Sequence, residues 1–246
     1  MKVLVGLSGG VDSSVAAFLL KQEGFDVTAG FMRNWEDDDG SPYCNVKEDF
    51  LDAAHVADKL GINLVQMNFA KQYKDKVFSY FLNELNKGKT PNPDVYCNKF
   101  IKFKEFTDYA FDNDFDAVAT GHYSKIQVID KEYFLCKSYD QNKDQTYFLS
   151  QVEKDVFTNI KFPLGNLLKN DVRKIAEKEK LITYDKKDST GICFIGERPF
   201  PEFLKKYLPE DHGEIVDQNN EVIGEHKGLY FYTIGQRQGL GIGGLK

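Results

Sequence analysis

The chain has 246 residues, 41% hydrophobic and 28% charged, with a formal net charge of −6. That length supports one or two domains with a sizeable core. The balance excludes a disordered chain and the global basic field of a non-specific nucleic-acid binder. The chain opens with no basic n-region and apolar h-region, and no apolar run reaches membrane-spanning length, so the expected setting is the cytoplasm, with no membrane partner.

In chain order, Met1 to Val5 is apolar and β-branched and reads as a buried strand. Gly6 to Ser14 follows as a glycine turn, and an apolar helix runs from Val15 until Gly24 stops it. Asp26 to Met32 predicts a second strand, and Arg33 to Tyr43 a polar surface loop with an acidic run at Glu36 to Asp39. Val46 to Leu60 has helical spacing, Asn63 to Phe69 reads as a third strand, and Tyr73 to Leu85 as another helix. A proline-fixed loop spans Lys87 to Asn98, and a helix is expected from about Cys97 to Phe111. Asp116 to Thr120 predicts a fourth strand, ending at Gly121-His122-Tyr123, and Ile126 to Lys137 a hairpin. Lys143 to Leu149 reads as a short helix or turn, and Leu168 to Leu181 as a helix whose Lys169, Arg173, Lys174, Lys178 and Lys180 form a basic stripe or a solvated face. From about Gly213 the pattern becomes short β-like pieces, Glu214 to Val216 and Leu229 to Tyr232, before a glycine-dense tail. Strands alternating with helices imply a parallel α/β sheet with ligands at the strands' carboxyl ends. A smaller β-containing unit follows, giving expected divisions at 1–208 and 209–246.

Three stretches carry chemistry. Strand, glycine turn and helix start make an anion site: Gly9 and Gly10 let backbone approach a phosphate, the helix start favours negative charge, and Ser8, Ser13 and Ser14 offer hydroxyls. Asp12 sits where it caps the helix or holds magnesium beside phosphates. No Lys-Ser or Lys-Thr pair closes the loop, so it is not a Walker A loop. Cys97 follows a rigid loop, opens a helix beside lysines and has Asp94 three residues ahead; this setting favours an accessible thiolate, although an Asp cap and a buried thiol fit the spacing equally well. Cys193 lies between Gly191 and Gly196 in a loop able to expose a thiol, whereas Cys44 and Cys136 lack that pairing of features. The four cysteines make no CxxC or zinc-finger spacing.

The string SGGVDSS resembles the pyrophosphate loop of the N-type ATP pyrophosphatases. The further stretches FMRNW (Phe31 to Trp35), GKTPNPDVYCN (Gly88 to Asn98), ATGHY (Ala119 to Tyr123), KDQTYFLSQ (Lys143 to Gln151), KDSTGICFIGE (Lys187 to Glu197) and YTIGQRQGLGIGG (Tyr232 to Gly244) stand in the order found in the bacterial tRNA-specific 2-thiouridylases. The chain resembles that family throughout. The resemblance implies an adenine-nucleotide-hydrolase-like catalytic domain, an incomplete central domain, and a C-terminal β-barrel absent from these residues. It implies that Gly6, Leu7, Ser8, Gly9, Gly10, Val11, Asp12 and Ser13 bind ATP phosphates with Mg2+, while Met32 and Gly121 border the adenosine. It further implies that Asn92, Pro93 and Asp94 meet the target base and that Lys143, Asp144 and Gln145 contact tRNA. Cys97 is then the nucleophile, Cys193 carries a persulfide, and Asp94 is the nearest acid or base. A cysteine desulfurase or sulfur carrier loads Cys193, and the two cysteines close into a disulfide during turnover, which needs Cα atoms within about 7 Å. Phe100 stands where members usually carry a charged residue. Two other readings share the loop: an amide-forming or lysidine-forming synthetase, which needs no paired thiols, and a non-catalytic tRNA-binding relative.

Overall fold

The computed structural model describes residues 1–36, 46–188 and 199–242. Its centre is a five-stranded parallel sheet in the order β3-β2-β1-β4-β7. The strands are β1 (Lys2–Gly6), β2 (Asp26–Arg33), β3 (Asn63–Asn68), β4 (Ala117–Ala119) and the short β7 (Ile160–Lys161). Gly6 pairs with Gly30 and Val5 with Ala119, so the carboxyl ends of β1, β2 and β4 lie along one edge. The chain leaves β1 toward β2 and β3 on one side, and β4 and β7 lie on the other. The order therefore reverses between β1 and β4, and a ligand crevice opens at such a point.

The period-two alternation of β1 divides the core. Val3 and Val5 face one cluster with α1 (Val11–Gln22), α2 (Val46–Leu60) and α7 (Lys169–Lys178). Leu4 faces the other. That second face is covered by α3 (Ala70–Tyr73), a π-helical stretch Lys74–Phe78 and α4 (Ser79–Asn86), then by α5 (Pro93–Cys97), a π-helical stretch Asn98–Glu105 and α6 (Phe106–Asp112). Phe103 leaves helical geometry inside the second run (φ −110°, ψ 18°), and π-helical insertions of this kind gather at functional sites.

The hairpin β5 (Ser124–Ile129) and β6 (Glu132–Lys137) forms as expected. Asp130 and Lys131 both take positive φ, as a two-residue turn matched to strand twist requires. A 3₁₀ turn, Thr146–Leu149, occupies the expected short helix. Further on, α8 (Phe200–Leu204) brings Phe203 and Leu204 into the second core face, where Leu208 and Tyr230 join them. Trp35 packs edge-on against Phe78 at 4.9 Å, so this part of the expected polar loop is anchored in the aromatic core. The acidic run from Asp37 onward lies outside the described residues.

Three expectations are corrected. The first helix starts at Val11, inside the expected glycine turn, and not at Val15. The helix carrying Cys97 starts at Pro93, not near Cys97, because Pro suits a first helical turn and the Asn92 side chain accepts the Asp94 N–H at 3.0 Å. Leu229 to Tyr232 is not a strand. Gly228 turns the chain at φ +142°, and Leu229–Phe231 forms a 3₁₀ turn with Tyr230 buried. The expected piece at Glu214 to Val216 forms β8 (Gly213–Val216), which pairs with β9 (Val222–His226) through a turn in which Asp217 accepts the N–H groups of Asn219 and Glu221.

Candidate nucleotide and thiol site

The loop after β1 is shaped by contacts that admit only glycine at two places. Gly9 has φ +77°, and a Cβ there would stand 2.2 Å from the Asp49 carbonyl oxygen. A Cβ on Gly121, just past β4, would stand 2.8 Å from the Asp12 carbonyl carbon and the Ser13 nitrogen. The loops after β1 and β4 thus touch backbone to backbone at the crevice. Gly10 leads into α1 with extended geometry, and no side chain caps the helix among the described residues. The first-turn N–H groups are therefore available to an anion. Ser8 is exposed, and its Oγ lies 3.1 Å from the Ser13 Oγ, which donates to the Gly10 carbonyl at 3.0 Å.

The structure divides the expected phosphate residues. Leu7 and Val11 are buried in the core, so only their backbone faces the loop. Ser14 does not serve the anion site. It is fully buried, donates to the Gly10 carbonyl at 2.8 Å and accepts from Thr183 at 3.0 Å, because one helical turn swings its hydroxyl back into the protein. Met32 lies against the loop's base, its Cε 3.2 Å from where a Gly6 Cβ would be.

Asp12 is held by two residues from distant parts of the chain. Lys169 Nζ donates to both carboxylate oxygens, at 2.6 and 2.7 Å, and the Tyr123 hydroxyl donates at 2.8 Å. Burial, then the Asp12 charge, drives the Tyr123 phenol far above its ordinary value, so it stays protonated and donates. Sequence reasoning placed Lys169 in a basic stripe, but the structure splits that stripe. Lys169 is 7% exposed and belongs to the site, whereas Lys174, Lys178 and Lys180 are exposed. Arg173, one turn beyond Lys169, donates to Asp188 at 2.7 Å, and Lys169 pairs with the same oxygen at 2.9 Å. The i, i+4 spacing of Lys169 and Arg173 was the available signal.

Asp188 also receives Lys143 Nζ at 2.7 Å. Burial pushes its carboxyl up, but Lys143 and Lys169 outweigh it and hold the pKa at about 2. The other two members of the expected RNA triplet hold the loop internally. Asp144 accepts the Ser138 N–H at 2.7 Å, and Gln145 exchanges hydrogen bonds with the Tyr123 backbone at 3.0 and 2.9 Å.

Hydrogen bonds tie the loop to the segment that carries Cys97: Tyr123 donates to Asp12, its N–H meets Gln145, and Asn98 holds the Phe148 carbonyl. His122, next to Gly121, is buried, with Nδ1 2.7 Å from the Thr120 hydroxyl. Burial, then the Lys102 charge, holds the imidazole well below its ordinary pKa, so it is neutral at pH 7. The same Lys102 acts on Asp94, whose carboxyl is raised by burial and pulled back by that lysine. Asp94 and Cys97 are three residues apart on α5 and share a face. Asn98 ties this helix to the 143–149 loop through its amide on the Phe148 carbonyl at 3.2 Å.

Cys97 itself departs from expectation. It is 2% exposed and sits in the aromatic core, because starting the helix at Pro93 rotates it inward. An accessible thiolate at a helix N-terminus is therefore not what this structure contains. Cys136 is partly buried on the hairpin, with Sγ 3.4 Å from Gln127 Oε1. Cys44 and Cys193 lie outside the described residues. Cavities of about 350 and 290 Å³ open near Phe18 and Leu60 and near Leu181 and Tyr184, away from the glycine loop. Among the described residues no helix is long and apolar enough to cross a membrane.

The chain has clear relatives among known proteins. Residues 1–197 match the model of the tRNA methyl transferase HUP domain, and 201–246 that of the tRNA methyl transferase PRC-barrel domain. The tRNA-specific 2-thiouridylase MnmA of Nitrosomonas eutropha is 57% identical over 245 residues, covering 100% of this chain and 68% of that protein. The protein of the same name from Neisseria meningitidis serogroup B is 57% identical over 242 residues, covering 98% of this chain and 66% of its own length. This chain thus spans about two thirds of these relatives. Among solved structures, a 4-thiouridine synthetase–RNA complex with bound ATP aligns with 83% of this chain and 49% of its own, at 16% identity and a TM-score of 0.47.

Proposed function

The chain belongs to the tRNA-specific 2-thiouridylase family, and from that premise we propose that it replaces the C2 oxygen of the wobble uridine of a tRNA anticodon with sulfur, using ATP. One observation carries the reading. An uncapped, glycine-built helix start with Asp12 and Lys169 at its mouth is tied by hydrogen bonds through Tyr123 to the 143–149 segment, which Asn98, next to Cys97, also holds.

The chemistry begins at the loop. The amides of Gly9 to Ser13 and the Lys169 ammonium stabilise charge on the departing pyrophosphate as the uridine O2 attacks the α-phosphorus. Mg2+, when bound, would neutralise phosphate charge, and the Asp12 carboxylate fits such an ion once Lys169 and Tyr123 release it. Adenylation turns the oxygen into a leaving group, AMP. The uridine must leave its stack to reach the site. Asn92, Pro93 and Asp94 receive it, and Asp94, its carboxyl raised by burial, is suited to exchange a proton with the base.

Sulfur arrives as the outer atom of a persulfide on Cys193, loaded by a cysteine desulfurase or a sulfur carrier. That atom bonds to C2 and AMP departs. Cys97 then attacks the Cys193 sulfur, which frees C2=S and leaves a Cys97–Cys193 disulfide for a thiol reductant to open with two electrons. Alternatively, Cys97 attacks first and the sulfur reaches C2 as hydrosulfide. Cys97 is buried, so it acts only once substrate has opened its surroundings. Lys143 and its neighbours contact the RNA. Methyl transfer, which the family models' description would suggest, has no use for a phosphate cradle or paired thiols.

Mass spectrometry of tRNA from cells with and without this gene tests the reading. The expected result is loss of one oxygen-to-sulfur exchange at the wobble uridine. Unchanged tRNA, or purified chain that releases no pyrophosphate with tRNA present, would sink it.

A further inference from the structure

The charges around Asp12 form a relay rather than a set of separate pairs. Lys169 commits its ammonium to three oxygens, two on Asp12 and one on Asp188. Asp188 is shared by three cations: Lys169 and Arg173 on Oδ1, and Lys143 on Oδ2 at 2.7 Å. The backbone at both ends is fixed. Asp140 accepts the Lys169 N–H at 2.9 Å through its side chain and the Lys143 N–H at 3.2 Å through its carbonyl. Lys169 is almost wholly buried, whereas the Lys143 side chain is 43% exposed. Four residues before and after Lys143, Tyr139 (63%) and Tyr147 (64%) are also exposed, aromatic side chains of the kind single-stranded bases stack on. Lys143 is thus the end of the relay that an RNA phosphate can reach, and Asp12 the end that faces the nucleotide loop.

We propose that Asp188 is a positioning residue that couples RNA capture at Lys143 to nucleotide binding at Asp12. In the free chain Lys143 saturates Asp188, and Lys169 covers both Asp12 oxygens. An RNA phosphate that takes Lys143 removes one of Asp188's three cations. Asp188 then draws Lys169 more strongly, and Asp12 is uncovered for the magnesium of the bound nucleotide. A carboxylate partly shielded from water and shared among cations transmits such a change better than an exposed pair. The coupling is reciprocal, so nucleotide with magnesium also tightens RNA. The inference rests on the function proposed above and adds a control within the same site.

The test is calorimetric binding of a non-hydrolysable ATP analogue to the 246-residue chain, with and without a saturating anticodon stem-loop RNA, and with and without Mg2+. The wild-type chain should bind the analogue with Mg2+ at least about fivefold more tightly when RNA is present, the lower end of ordinary coupling. In Asp188→Asn that ratio should fall to near one, and in Lys143→Met, whose exposed side chain carries little stability, it should do the same at saturating RNA. Without Mg2+ the ratio should also be near one. A purely structural role would weaken both affinities and leave the ratio intact, so an unchanged ratio in both variants overturns the proposal. A wild-type ratio of one with both ligands bound overturns it as well and leaves the underlying function standing. Binding of neither ligand would overturn that function, and the coupling with it.

Discussion

Two helices begin in this site, and they begin differently. α1 starts at Gly10 with no side-chain cap among the described residues, and its first-turn N–H groups face the crevice. α5 starts at Asn92, whose side chain takes the Asp94 N–H and closes that end. Of the two, only the uncapped start offers its dipole and donors to an anion. The capped one uses its rigidity instead: it holds Asp94 and Cys97 on one face against the aromatic core. Leaving a helix end open keeps a binding site, and closing it keeps a geometry.

The comparison is broken most sharply by removing one group from each helix. Asp12→Ala should abolish tRNA-dependent pyrophosphate release. Cys97→Ser should retain pyrophosphate release and lose thiolation by several orders of magnitude, as loss of a nucleophile does. Cys193→Ser should lose thiolation together with the loaded persulfide, and Cys136→Ser should stay near wild type. Pyrophosphate assays beside mass spectrometry of the tRNA separate these outcomes, and if Cys97→Ser stops both reactions alike, the division of labour fails.

A second change tests the open end by filling it. Gly9→Ala must adopt φ +77° and meet the Asp49 carbonyl. The left-handed backbone alone costs about 1–2 kcal/mol, and overlap with a fixed carbonyl adds to it. Both the melting temperature and binding of an ATP analogue should fall, whereas Gly24→Ala, also at positive φ but with open space around it, should lower only the melting temperature.

Opening the closed end gives a smaller effect. Asn92→Ala removes the cap and should cost about 1 kcal/mol, a fall in melting temperature of about 2–4 °C. Nucleotide binding should stay unchanged; a matching loss of ATP affinity would mean that the two helix starts are not independent.

The smallest effect is electrostatic. Burial raises the Asp94 pKa above its ordinary 3.8, so folding favours the protonated carboxyl. Its contribution is fully present below that ordinary value and is lost as pH rises through the folded value. Asp94→Asn should therefore stabilise the chain at pH 7 and lose that advantage toward pH 3. Asp188 has the opposite sign: its pKa, near 2, gives stability that is present above 3.8 and lost as pH falls toward 2, so Asp188→Asn should destabilise at pH 7. Melting temperatures across pH 3 to 8 check both signs.

The local chemistry of the chain was legible in its residues. Strand, glycine turn and helix follow from β-branching, glycine and apolar spacing over a few positions, so β1 and α1 appear in the expected order, although α1 starts at Val11, four residues before the expected Val15. The hairpin turn at Asp130 and Lys131 is equally local. Tertiary structure decided what lies far apart. Lys169 reaches Asp12 across 157 positions, and Lys186 reaches Asp49 across 137, so each cation acquires its meaning only from the sheet that brings α7 and the 183–188 segment beside α1 and α2. Cys97 shows the same limit. Its place at an expected helix start beside lysines suggested an exposed thiol, but burial depends on the helix's rotation; the cap at Asn92 starts the helix earlier, and Cys97 shares one core with Phe103 and Phe106. Composition and spacing determine which groups are available; only packing determines which of them water can reach.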